Sequence, residues 1–108
     1  MSDQNPQKND FIYVTTIGRK TGKPHTVEIW YVEHEGAYYL CSEGRNKADF
    51  VKNIRQNAAV TYGFGSWDAP HSPATGHIVD EPELVAVLTR KFAEKFQWSD
   101  GLFVAIKP

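Results

Sequence analysis

The chemistry of this chain is concentrated in one short run, Gly18-Arg19-Lys20-Thr21-Gly22-Lys23-Pro24. Three of these seven residues are cationic, two are glycine, and a proline closes the run. Such a run turns a hairpin, because glycine reaches φ > 0 at no steric cost. It also offers backbone N–H groups and cationic side chains to an anion, with arginine gripping phosphate oxygens in a fork. A second cationic place lies downstream, where Ser42, Arg45 and Lys47 surround the expected start of a helix. Helix N-termini attract anions through their free N–H groups. The first run is not a P-loop: the G-x-x-x-x-G-K-S/T spacing is missing, and the segment that follows reads as strand.

Other catalytic sets are missing from the pattern. His25, His34, His71 and His77 are scattered, with no HxH or HExxH spacing, so no zinc site is expected. There is no G-x-S-x-G elbow. Cys41, the only cysteine, reads as a small packed hydrophobe without an activating constellation. The carboxylate pairs Glu33/Glu35 and Glu81/Glu83 fall in a turn and at a helix start, where solvent suits them. An anion site and aromatic surface remain, with no acid–base or nucleophile set, so catalytic residues stay unassigned. That combination favours an enzyme whose cofactor does the chemistry, and it suits a plain binding module equally.

The bulk properties narrow the class. A chain of 108 residues makes one domain, expected over residues 11–108 behind a flexible tail at 1–10. Its core is modest for its surface, a limit that a homodimer would relieve. The formal net charge of −1 gives no global field for nucleic acid, and the positive charge is local. With one cysteine, no signal-peptide core and no membrane-length apolar run, the expectation is a cytoplasmic protein with no membrane partner. Fourteen aromatic residues suit a planar ligand or a subunit interface as well as a core.

Several elements must position the basic run. Phe11 to Ile17 is β-branched and aromatic on both faces, a strand covered on both sides. Thr26 to His34 alternates, with Val27, Ile29 and Tyr31 on one face and Glu28, Trp30, Val32 and His34 on the other. Trp30 on the second face could cover a seam or line a cleft for a flat ligand. Ala37 to Ser42 pairs back as a hairpin. A helix from about Lys47 to Gln56 follows, capped by Asn46, with Phe50, Val51 and Ile54 as its buried stripe. Ala59 to Phe64 and Ala74 to Asp80 are strands around a loop that carries Trp67. A second helix opens near Glu81-Pro82-Glu83 with Asp80 as its cap, and Leu84, Leu88, Phe92 and Phe96 make its core face. Leu102 to Lys107 is the last strand. The sum is mainly β: a six-stranded antiparallel barrel, closed or split, with two helices plugging its gaps.

The strand Tyr13 to Ile17, the Gly18 to Pro24 run and the long second strand resemble the deazaflavin-dependent nitroreductase family. The hairpin Gly36 to Ser42 and the segment Ala48 to Asn57 continue the likeness, which is good over roughly residues 11–64 and looser over 74–97. The resemblance implies an FMN-binding split-barrel-like fold and coenzyme F-420 as cofactor, with FMN as the alternative. It implies that Arg19, Lys20, Thr21, Gly22 and Lys23 hold the cofactor's phosphate tail, with Ser42, Arg45 and Lys47 opposite and Trp30 beside the ring. The implied reaction is hydride transfer from the reduced deazaflavin to a nitro compound, quinone or similar acceptor. The family's aromatic-rich N-terminal helix and C-terminal tyrosines have no counterpart here. The alternative is therefore a non-enzymatic module for FMN, F-420 or a haem-type ligand.

Overall fold

The computed structural model describes residues 11–108, so the expected tail at 1–10 lies outside the described residues. The strands are β1 (Phe11–Ile17), β2 (Pro24–His34), β3 (Ala37–Ser42), β4 (Ala59–Phe64), β5 (Ser72–Ile78) and β6 (Leu102–Lys107), and the helices are α1 (Asp49–Gln56) and α2 (Pro82–Phe96). Every strand pairing is antiparallel, and the strands close in the order β1-β2-β3-β6-β5-β4. The architecture is the mainly β, six-stranded barrel with two helices that the alternating pattern calls for.

Period-two alternation divides β2, β3 and β6 between two cores. Ile12, Val14, Leu40, Val60, Val104 and Ile106 fill the barrel, joined by Phe50, Val51 and Ile54 of α1. Helix α1 thus plugs one end. The opposite faces of β2, β3 and β6 supply Val32, Tyr39, Cys41, Phe103 and Ala105, which pack against Leu88 and Phe92 of α2. Burying a large apolar side chain completely is worth roughly 1.5–3 kcal/mol. The two stripes explain why short helices stay docked on a small barrel.

One ladder is incomplete. Residues Tyr31 to His34 of β2 pair with Leu40 to Ala37 of β3. Beyond that point β3 continues to Ser42 against β6, while β2 continues to Pro24 against β1. From Trp30 back to Pro24, β2 therefore has β1 on one side and no strand pairing on the other among the described residues. The barrel is split here. Antiparallel order puts this split, the β1–β2 hairpin tip and the end of β3 at the same end of the barrel.

Both helix starts differ from the local expectation. Helix α1 begins at Asp49, not near Lys47, and its N-cap position is Ala48 in an extended conformation, not Asn46. A separate 3-10 turn spans Arg45–Lys47. The need to face Phe50, Val51 and Ile54 into the barrel sets the helix phase, and tertiary burial outweighs a capping preference. In α2 the N-cap position is Glu81, not Asp80. Pro82 occupies the first turn and holds its predecessor extended, at φ −78 and ψ 120.

Leu88 is fully buried between α2 and the sheet. Leu88→Ala is expected to lower unfolding stability by about 2–5 kcal/mol in urea denaturation, the range for a deleted core leucine. A loss below about 1 kcal/mol would mean that α2 is not docked as described.

Candidate functional site: a basic hairpin tip beside an aromatic split

The hairpin tip is closed by its own backbone. Gly18 donates its N–H to the Lys23 carbonyl at 2.8 Å, and Gly22 donates to the Gly18 carbonyl at 2.8 Å. The Lys23 N–H donates to the Thr21 hydroxyl at 3.2 Å. Gly22 sits at φ +74, in the left-handed region. At Gly18 a Cβ would lie 2.8 Å from the His25 ring and 2.9 Å from the Thr21 hydroxyl, so both side chains would have to shift to admit one.

Helix α1 holds this tip through one amide. Asn53 is 2% exposed. Its Oδ1 accepts the Arg19 backbone N–H at 3.2 Å and the Arg19 guanidinium at 2.9 Å, while its Nδ2 donates to the Thr16 hydroxyl at 3.1 Å. The guanidinium also reaches the Asp49 carboxylate at 3.4 Å. Guanidinium carries five N–H donors, so these two side-chain contacts leave others for a ligand. Beneath lies a cavity of about 460 Å³, lined among others by Arg19, Lys20, Thr21, His25, Asp49 and Asn53.

A second cavity, of about 540 Å³, lies at the split. Its walls are Phe11, Glu28, Ile29, Trp30, Cys41, Glu43, Phe92 and Trp98. Trp30 stacks on Phe96 with ring centres 4.4 Å apart and planes 4° from parallel, and Phe11 leans on it at 6.4 Å. The Trp30 Nε1 is buried without a partner. Glu28 accepts the Tyr13 hydroxyl at 2.6 Å, and that bond raises the Tyr13 pKa above its usual value. Burial pushes the Cys41 thiol up to about 12, which leaves it a neutral packing group. The two cavities run on from each other along β2: His25, Thr26 and Val27 line the first, and Glu28, Ile29 and Trp30 line the second.

The residues singled out from sequence thus fall into separate places. Arg19, Lys20 and Thr21 line the tip cavity; Gly22 and Lys23 shape the same tip without lining it. Trp30 belongs to the aromatic cavity. Ser42, 1% exposed, ends β3 on the other lip of the split, and its hydroxyl has no partner. Arg45 turns to Asp100, just before β6, rather than to the tip. Lys47 is exposed at the end of the 3-10 turn. None of these last three lines the tip cavity. Sequence reasoning missed Asn53, although a polar residue beside the apolar stripe of α1 was an available signal. Trp67 stays 54% exposed, edge-on to Tyr13 at 5.0 Å. Among the described residues, no three or more His, Cys, Asp or Glu side chains gather to hold a metal. No described helix is long and apolar enough to cross a membrane.

A small split barrel of this kind is shared with several solved proteins. A putative pyridoxamine 5'-phosphate oxidase from Listeria innocua superposes with a TM-score of 0.72 at 12% identity, over 92% of this chain and 83% of that one. HutZ, the heme storage protein from Vibrio cholerae, gives 0.68 at 16% identity, over 94% and 83%. An F420-H2 dependent reductase, FDR-A, gives 0.63 at 21% identity, over 95% and 98%. At these identities the likeness establishes the fold. The family comes from the sequence: residues 3–90 match the model of the F420H(2)-dependent quinone reductases, and the chain belongs to that family. No curated protein matches the chain in sequence.

Two expected outcomes test the local physics. Asn53→Ala removes the acceptor for two Arg19 donors and is expected to cost about 1–3 kcal/mol in urea denaturation, the penalty for stranded buried polar groups. The Cys41 thiol should resist a disulfide-exchange reagent at pH 8 in the native protein and react at once in denaturant. Because its folded pKa of about 12 exceeds the ordinary 9.0, its contribution is full below pH 9 and falls as pH rises from there. Rapid native labelling at pH 8 would contradict the burial.

Proposed function

We propose that this protein is a deazaflavin-dependent reductase that passes a hydride from reduced coenzyme F-420 to a quinone, nitro compound or similar electron-poor acceptor. The observation that carries this reading is the groove along β2, with a cationic, donor-rich cavity at one end and an aromatic cavity at the other. Membership of the quinone reductase family supports the cofactor and the acceptor class.

The residues present fit the group. Arg19, held by Asn53, keeps donors for a phosphate on the cofactor's tail, and Lys20 and the Thr21 hydroxyl border the same cavity. Lys23 and Lys47 add positive charge at that end of the barrel. At the split, the Trp30 Nε1 and the Ser42 hydroxyl are buried and unpartnered on opposite lips. An unmet buried donor costs about 1–3 kcal/mol, and an acceptor atom on a planar heterocycle in the aromatic cavity would meet that of Trp30. Trp30, fixed in plane by Phe96, then walls the ring. With the deazaflavin bound, the chemistry supplied is two-electron hydride donation. The protein's own part is to anchor the tail at Arg19 and Lys20 and to keep water from the apolar walls of the split.

A fluorescence titration with F-420, FMN and haem in parallel tests the reading. F-420 is expected to bind saturably. Replacing Arg19 and Lys20 together by alanine should weaken that binding by at least about 2 kcal/mol, given the strength of charge-assisted hydrogen bonds. Reduced F-420 should then support steady reduction of a neutral naphthoquinone. Unchanged affinity in the double variant would remove the tip from the site. Binding of haem or FMN alone, without turnover, would replace the reductase by the non-enzymatic module.

A further inference from the structure

We propose that Gln97 to Gly101, the connection from α2 to β6, is a hinged wall of the aromatic cavity, held shut by Arg45 through its ion pair with Asp100. Arg45 is then a positioning residue, and its part in the reductase rests on the function proposed above. Glu43 and Trp98 both line the cavity. Two residues beyond each of them, Arg45 and Asp100 are paired, guanidinium Nη2 to carboxylate Oδ1, at 2.5 Å. The ladder of β3 and β6 ends with Ser42 opposite Leu102, and the ion pair closes just beyond that end. It ties the 3-10 turn after β3 to the connection before β6. The two side chains are 55% and 83% exposed, so the bond is not a by-product of burial.

The backbone shows which parts are fixed. Arg45 has φ +52, in the left-handed region where a side chain carries a steric penalty. Such a conformation persists where other contacts demand it, and at Arg45 it accompanies the contact with Asp100. One end of the connection is Gln97, which closes α2 at φ +59 and donates its N–H to the Ala93 carbonyl at 2.9 Å. The other end is Gly101, where a Cβ would lie 2.5 Å from the Ser42 carbonyl oxygen. Its N–H donates to the Ser99 carbonyl at 3.1 Å, a tight turn that carries Asp100. The ends are thus pinned to α2 and to β3. Trp98 lies between them, half-buried, and packs on the outer core as Trp30 and Phe96 do. Rotation about the two pinned ends is the motion that lifts Trp98 from the cavity, and the Arg45–Asp100 pair opposes it from the solvent side.

Backbone hydrogen exchange over 97–101, read by mass spectrometry on the cofactor-free protein, tests this directly. In Asp100→Asn and in Arg45→Asn, exchange there is expected to rise about twofold to fivefold, the range that a single exposed ion pair can hold back. Exchange in α1 should stay as in the native protein. Asparagine and aspartate tolerate the left-handed conformation at position 45, so the circular dichroism spectrum should not change. The reversed pair, Arg45→Asp with Asp100→Arg, should restore the native rate. Raising the salt should speed exchange over the segment in the native protein and leave Arg45→Asn unmoved. Native exchange already at the free-peptide rate, equal rates in the native protein and both single variants, or a reversed pair as loose as the single variants would each overturn the proposal. The part played in the reductase is read by stopped flow, where F-420 release from Asp100→Asn is expected to be about twofold to fivefold faster. A loosened segment with unchanged F-420 release would overturn the role given to Arg45. If the segment loosens as described but F-420 neither binds nor turns over, the proposed function fails and the hinged wall stands. If naphthoquinone is reduced while the variants leave both exchange and F-420 release unchanged, the reverse is true.

Discussion

A single buried amide joins the two parts on which the site depends. Asn53 lies on the helix that plugs the barrel, yet its polar atoms are spent on the hairpin tip and on Thr16 of β1. A buried amide left unbonded is expensive, so the bonds that satisfy it also fix the tip. Arg19 is thereby held at backbone and side chain at once. A guanidinium prepared in this way loses less freedom on gripping an anion than one waving in solvent. The position of α1, set by Phe50, Val51 and Ile54 in the core, is transmitted to the cation through Asn53, with Asp49 of the same helix adding a contact at 3.4 Å.

The second constraint is the short ladder between β2 and β3. A barrel of six strands has little interior to spare, and here it is filled by branched side chains from the strands and by α1. The open space at the aromatic cavity comes with a break in the wall. Loss of pairing below Tyr31 and Leu40 supplies it. Helix α2 keeps the break from collapsing the sheet. It reaches across from β6 to β2, with Phe92 against Phe103 at 5.6 Å and Phe96 against Trp30 at 4.4 Å.

Much of the fold was legible because its signals are local. Alternation in 26–34 and the β-branched, aromatic run in 11–17 mark strands, and the Leu84, Leu88, Phe92, Phe96 repeat marks the docked face of α2. The basic tip was legible for the same reason, since glycines and cations sit together in seven residues. What escaped is non-local. The length of the β2–β3 ladder depends on where β3 turns to β6, which no window of sequence contains. The pairing of Arg45 with Asp100 joins residues 55 apart, and that of Arg19 with Asn53 spans 34. Trp30 was rightly placed on the outer face of β2, but its partner Phe96 lies at the far end of α2. The cap of α1 was misplaced because core burial, not capping chemistry, decides where that helix begins.

The filled interior also sets where the surface can be entered. The tip cavity and the aromatic cavity both open along one strand, on consecutive stretches of β2. In a protein this small, one interrupted ladder opens a strand edge that the rest of the barrel keeps closed.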